Sequence, residues 1–148
     1  MSAPDAATLE AAAVLARLAE ARTVTIRVRT ETGGGSGEGS VEVARLGDAV
    51  ELAETGSWAL GDGRPMRWRA VSRWRAEGAA LAVEHVRQGT PARAVLDRAP
   101  DGRWRARADH VCGQDLYRAA LDVSGDAVTV TWTIRGPCKQ AQITTRYV

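Results

Sequence analysis

Within eight residues the chain carries an imidazole, a thiol, a carboxylate and a phenol, in the order His110-x-Cys112-x-x-Asp115-x-Tyr117. Such a set supplies an acid–base pair, because histidine titrates near neutrality and an aspartate can fix its tautomer. In that role His110 is the catalytic base, Asp115 orients it, and Tyr117 or Cys112 is the acid. The same four residues also make a structural unit, a buried polar network pinning a strand–turn–strand corner with every member hydrogen-bonded. Both readings stand at this point.

A second histidine, His85, shares a face with Leu81 and Val83, the setting of a satisfied core residue. Were His85 and His110 to converge, the pair could hold a metal or a haem iron. Two histidines without further ligand spacing are a weak signal for either. Cys112 and Cys138 cannot build a structural zinc site alone and lack CxxC spacing. No metal and no cofactor is expected, haem being the minor alternative. Trp68, Trp74, Trp104 and Trp132 point inward on alternation, as core or as the wall of a site for a planar molecule. At the last turn, Arg135 and Lys139 flank Gly136-Pro137, where they could anchor a carboxylate or simply be solvated.

These side chains need a scaffold, and the periodicity supplies one. Residues Asp5 to Ala21 read as the single helix, with Asp5 as its cap and Leu9, Val14, Leu15 and Leu18 on one broad face. From Thr23 onward the period is 2. Val24, Ile26 and Val28 alternate with polar residues, as do Val41 and Val43, then Val50 and Leu52. Gly33 to Gly37 reads as a flexible loop; it is no phosphate cradle, because no GK[ST] follows and the next element is a strand. Met66 to Ala76 sets Met66, Trp68, Ala70, Ser72 and Trp74 against Arg67, Arg69, Arg73 and Arg75.

Ala79 to Arg87 continues the pattern. A turn at Gly89-Thr90-Pro91 and a short strand from Ala92 to Asp97 follow. Arg103 to His110 reads as one strand with Trp104, Ala106, Ala108 and His110 inward, and Gly113 as a break in register. Leu116–Val123, Ala127–Arg135 and Lys139–Val148 close the series. About nine or ten strands with frequent turn signals argue for a mainly β, antiparallel up-and-down barrel rather than βαβ units. The division expected is a helix over residues 1–22 capping a single barrel domain over residues 23–148.

The last third has a recognisable order: His110-x-Cys112-x-x-Asp115-x-Tyr117, then Trp132-x-Ile134-x-Gly136-Pro137-x-Lys139, then Thr145-x-Tyr147. It resembles an uncharacterised family of small bacterial and fungal calycin-like proteins, a domain of unknown function. The broader calycin group includes lipocalins, fatty-acid-binding proteins and nitrobindins. The resemblance runs from about Gly37 to Tyr147, and implies a closed barrel with an internal cavity but no established activity.

Composition narrows the function. A net charge of +2, from 20 basic and 18 acidic residues with no basic cluster, gives no nucleic-acid footprint. No apolar run is long enough to span a membrane, and the acidic start is unlike a secretory signal. The chain reads as cytoplasmic, a monomer or homodimer, whose partner is a small molecule. Two functions fit: a barrel binding a small apolar or aromatic molecule, or a cofactor-independent isomerase, cyclase or dehydratase of secondary metabolism using His110. An interaction module presenting its arginines is the least favoured.

Overall fold

A computed structural model describes residues 3–86 and 91–148. Helix α1 (Ala6–Ala19) begins where the Asp5 carboxylate accepts a 2.8 Å hydrogen bond from the Thr8 amide, satisfying one of the unpaired donors at a helix start. It buries Ala11, Val14 and Leu18. Leu9 was expected on that face but is 56% exposed. The stripe runs through the small residue Ala11 instead, which lets the helix lie close to the sheet.

Eleven strands follow: β1 (Thr23–Thr30), β2 (Gly33–Leu46), β3 (Ala49–Leu60), β4 (Met66–Glu77), β5 (Ala80–Val86), β6 (Ala92–Arg98), β7 (Trp104–Ala106), β8 (His110–Cys112), β9 (Asp115–Ser124), β10 (Ala127–Arg135) and β11 (Gln140–Tyr147). Each pairs antiparallel with its neighbours. β1 joins β11, and β10 joins both β9 and β11, so the sheet closes on itself. β7 and β8 share β9 as partner and together occupy one place in the ring. The result is a ten-strand antiparallel barrel with one helix, as the periodicity predicts. Closure gives the inward face a dry interior and leaves no long exposed edge.

One core runs through α1 and the barrel; Leu18, Val24, Leu52, Trp74, Leu81, Leu96, Trp104 and Leu121 are all almost fully enclosed. α1 lies over the end where β4 finishes and β5, β10 and β1 begin. The opposite end carries the β3–β4, β8–β9 and β10–β11 turns. The turn expected at Gly89-Thr90-Pro91 lies, but for Pro91, outside the described residues. No helix of the described residues is long and apolar enough to cross a membrane.

Three local departures from simple alternation matter. The glycine segment is strand, not loop: Gly33 to Gly37 pair with Thr30 to Ile26 across the ladder. Gly113 does not break the register. It turns the chain with φ +62°, a left-handed conformation that suits glycine, and Cys112 then faces Asp115 and His110 faces Tyr117. Third, the stretch from Arg103 to His110 is not one strand. Arg105 lies opposite Ala120 and His110 opposite Tyr117, so five steps along β7–β8 match three on β9. Two extra residues bulge outward.

Ion pairs stake this bulge on both sides. Arg107 grips Asp97 of β6 with two bonds of 2.9 and 2.7 Å, and Asp109 accepts a 2.6 Å bond from Arg118 of β9. Beyond a 2.8 Å hydrogen bond from the Arg107 amide to the Val95 carbonyl, the two strands stay close but no longer pair. Ala92 pairs only with β5, as do Arg93 and Ala94, while His110 to Cys112 pair only with β9. The barrel wall therefore carries a short unpaired seam beside His110.

Candidate functional site

The site is built by strand parity. On β10, Val128, Val130, Trp132 and Ile134 are buried while the intervening threonines are only half-buried. On β5, Leu81, Val83 and His85 face in. On β9, Tyr117 shares the inward face of Ala119 and Leu121. At the barrel end away from α1 these faces border a partly open cavity of about 210 Å³, lined by His85, His110, Cys112, Tyr117, Trp132 and Lys139, with Ile134, Ile143, Pro91 and Ala92 as its apolar wall. The two histidines thus share one cavity. No set of three His, Cys, Asp or Glu residues that could hold a metal occurs among the described residues.

Ring contacts order the lining. The His85 ring meets Trp132 edge-on at 5.9 Å between centroids, and His110 meets Tyr117 edge-on at 6.2 Å. Burial first, then the negative charges of Cys112 and Asp115, pushes the Tyr117 phenol above its usual value of 10.0. Because the folded value is the raised one, this group's contribution to stability is intact below pH 10 and is lost as pH climbs through the folded value. A tyrosinate absorbance titration should therefore show a step above pH 10 that vanishes in Tyr117→Phe and moves down in Cys112→Ser. A step at or below 10 would contradict the buried setting.

Trp132 carries the most informative atom. The residue is 5% exposed and its indole N–H, which can only donate, has no hydrogen-bond partner among the described residues. A buried donor left unmade costs about 1–3 kcal/mol, so such groups are rare. The Thr145 hydroxyl, 2% exposed on neighbouring β11, is in the same condition.

Other sequence candidates fall elsewhere. Asp115 does not hydrogen-bond His110; its carboxylate lies against the Gly136 backbone, where a Cβ would sit 1.8 Å from Oδ1. Arg135 is exposed and lies outside the cavity lining. Trp68, Trp74 and Trp104 are core residues and do not line the mouth cavity. Trp74 donates a 3.0 Å bond to the Ser72 hydroxyl. Trp68 donates to Glu54, a residue not singled out from the sequence. Glu54 is 1% exposed and accepts from Trp68 Nε1 at 3.2 Å and from the Tyr147 hydroxyl at 2.6 Å. The signal for it was available: Val50, Leu52 and Glu54 share one face of β3, so a carboxylate stood at an inward position.

A larger hollow of about 560 Å³ lies between β4 and the bulge, lined by outward Arg73, Glu84 and Arg93 and also by core residues Trp74 and Val83. Its rim is charged and self-neutralised, with Arg73 bonded to Glu51, Arg93 to Glu84 and Arg107 to Asp97 at 2.7–3.0 Å. Exposed pairs of this kind contribute little and are screened by salt. Among the described residues, His110 alone lines both this hollow and the smaller cavity.

The model of one family, described as a family of unknown function (DUF6314), matches residues 17–148. No curated protein and no solved structure matches the chain.

Proposed function

We propose that this chain, which belongs to the DUF6314 family of unknown function, binds a small, partly apolar molecule in the cavity at the barrel end away from α1. The observation that carries this reading is the convergence of His85, His110, Tyr117, Trp132 and Lys139 on one partly open cavity with a largely aliphatic wall. Binding sites take this form: concave, largely apolar, with a few convergent polar groups. At about 210 Å³ the cavity is below the roughly 300–1,000 Å³ typical of drug-sized ligands, so its occupant is small. The resemblance of the last third to calycin-like barrels supports the same use of the lumen. The free thiols of Cys112 and Cys138 suit a reducing compartment such as the cytoplasm.

An acid–base enzyme would draw on the same lining through His110. In the structure no carboxylate hydrogen-bonds that ring to fix its tautomer, and the Asp115 carboxylate lies beside the Gly136 backbone instead. Holding a molecule is therefore better supported than transforming one.

Native mass spectrometry of protein purified from its own host tests the reading. The parent chain should carry a retained small molecule, and Ala92→Phe, which fills the cavity wall from β6, should carry none while keeping its far-UV spectrum. Equal occupancy in the two proteins would refute the assignment.

A further inference from the structure

We propose that the outer wall formed by β1, β11 and β10 docks the sugar–phosphate backbone of a nucleic-acid duplex, without regard to its sequence. The inference concerns the outside of the barrel and stands apart from the cavity reading. Along the sequence Arg27 and Arg29 lie far from Arg135 and Arg146, so no basic cluster is visible there. Closure of the barrel gathers them on one face, because β11 pairs with both β1 and β10.

Strand parity makes this face uniform. The odd-numbered positions 23–29 of β1 and 129–135 of β10, with the even-numbered positions 140–146 of β11, point outward and hold only Arg, Thr and Gln. No acid and no apolar residue stands among them. Arg27 lies opposite Thr144, which sets Arg146 diagonal to it, about 7–8 Å away, and Arg29 follows two residues along. All four arginines are exposed, and among the described residues none has an ion pair. Every ion pair of the described residues lies instead on α1 or on the wall from β3 round to β9. Glu38, opposite Thr25, and Asp122, opposite Thr129, border the face and pair with none of its arginines. Strand propensity accounts for the threonines. It does not account for guanidinium groups gathered without counter-charge, since like charges on neighbouring strands oppose folding.

The chemistry of the face selects the occupant. Guanidinium, hydroxyl and carboxamide groups are the side chains that contact phosphate oxygens in nucleic-acid complexes. A protein partner would need aromatic or aliphatic anchors, and a membrane surface an apolar face to insert into it. This wall offers neither. A single strand would need rings on which its bases stack, but Trp132 and Tyr147, the aromatic residues of these three strands, are both buried. A duplex gripped through its phosphates needs none of these, and such contacts position without reading bases.

The test titrates the purified chain into a short labelled DNA duplex and follows fluorescence anisotropy between about 50 and 200 mM salt. Half-saturation should fall at about 1–100 µM, the range of sequence-independent binding. Log affinity against log salt should slope by about −3 to −4, roughly 0.9 for each phosphate met by an arginine. Arg27→Gln with Arg146→Gln should weaken binding about tenfold or more at the lower salt and reduce the slope by about two. Arg27→Lys with Arg146→Lys should keep most of both. The control, Arg73→Gln with Arg93→Gln, removes the same charge from the self-neutralised wall and should change affinity less than about threefold. All these positions are exposed, so each variant should melt within a few degrees of the parent chain. Equal losses from the two glutamine pairs would show a response to total charge alone and overturn the assignment of this face. Tighter binding to anionic phospholipid vesicles, to polyglutamate or to a single-stranded oligonucleotide than to the duplex would overturn the occupant. So would the absence of any binding at the lowest salt.

Discussion

Trp74→Ala should melt about 6–20 °C below the parent chain, from a loss of roughly 3–5 kcal/mol. Trp74 is 1% exposed, lies opposite Val50 on one side and Val83 on the other, and donates its N–H to Ser72. Truncation removes the largest kind of side chain from an interior packed to crystal density, and leaves a void at a site flanked by strands on both sides. A closed barrel cannot slide its strands together to fill that void, because each is hydrogen-bonded to two neighbours. Trp74→Phe should lose much less, since it keeps a ring and mainly unpairs the Ser72 hydroxyl. Differential scanning calorimetry separates the two variants. A shift below about 2 °C for the alanine variant would mean that this part of the lumen is not close-packed.

Gly39→Val is expected to be the second severe change, costing about 1–3 kcal/mol or more by overpacking. A Cβ at Gly39 would sit 2.0 Å from the Thr55 carbonyl oxygen, and one at Gly37 would sit 2.1 Å from that of Ser57. The obstacles are backbone atoms of the paired strand, so relief requires β2 and β3 to move apart. Gly136→Ala is the control. There the obstacle at 1.8 Å is the Asp115 carboxylate, the end of a side chain that can rotate away. Its cost should stay below about 1 kcal/mol, and Asp115 should become mobile in NMR spectra. Equal destabilisation by the two substitutions would mean that the close backbone approach of β3 at the β2 glycines is not what makes Gly39 irreplaceable.

Period-2 patterning made most of this architecture readable, because inward and outward positions differ strongly in chemistry. Val128, Val130, Trp132 and Ile134 alternate with threonines, and the arginines of β4 alternate with tryptophan, alanine and serine. The departures from it have separate physical causes. Glycine carries no inward or outward label, so Gly33 to Gly37 looked like loop although its backbone is fully paired with β1. Leu9 looked like core because the helix stripe was traced by size. Packing chose Ala11, which sets a close approach. Glu54 was passed over because a carboxylate on an inward position is unfavourable in isolation. Its partners, Trp68 and the distant Tyr147, meet it only when the barrel closes. Convergence of His85 with His110 likewise depends on closure, which no local window of sequence contains.

The two residues added ahead of β8 have a consequence for how such a barrel tolerates changes in length. Side chains alternate, so an even insertion returns the chain to the lumen with the same face forward, whereas an odd one exchanges every later residue of the strand for its neighbour. In this wall a single added or lost residue would present Asp109 or Val111 to the interior in place of His110. A carboxylate would then enter a space otherwise furnished with donors. Length can therefore drift in steps of two without altering what the lumen offers a guest, and a step of one rewrites it.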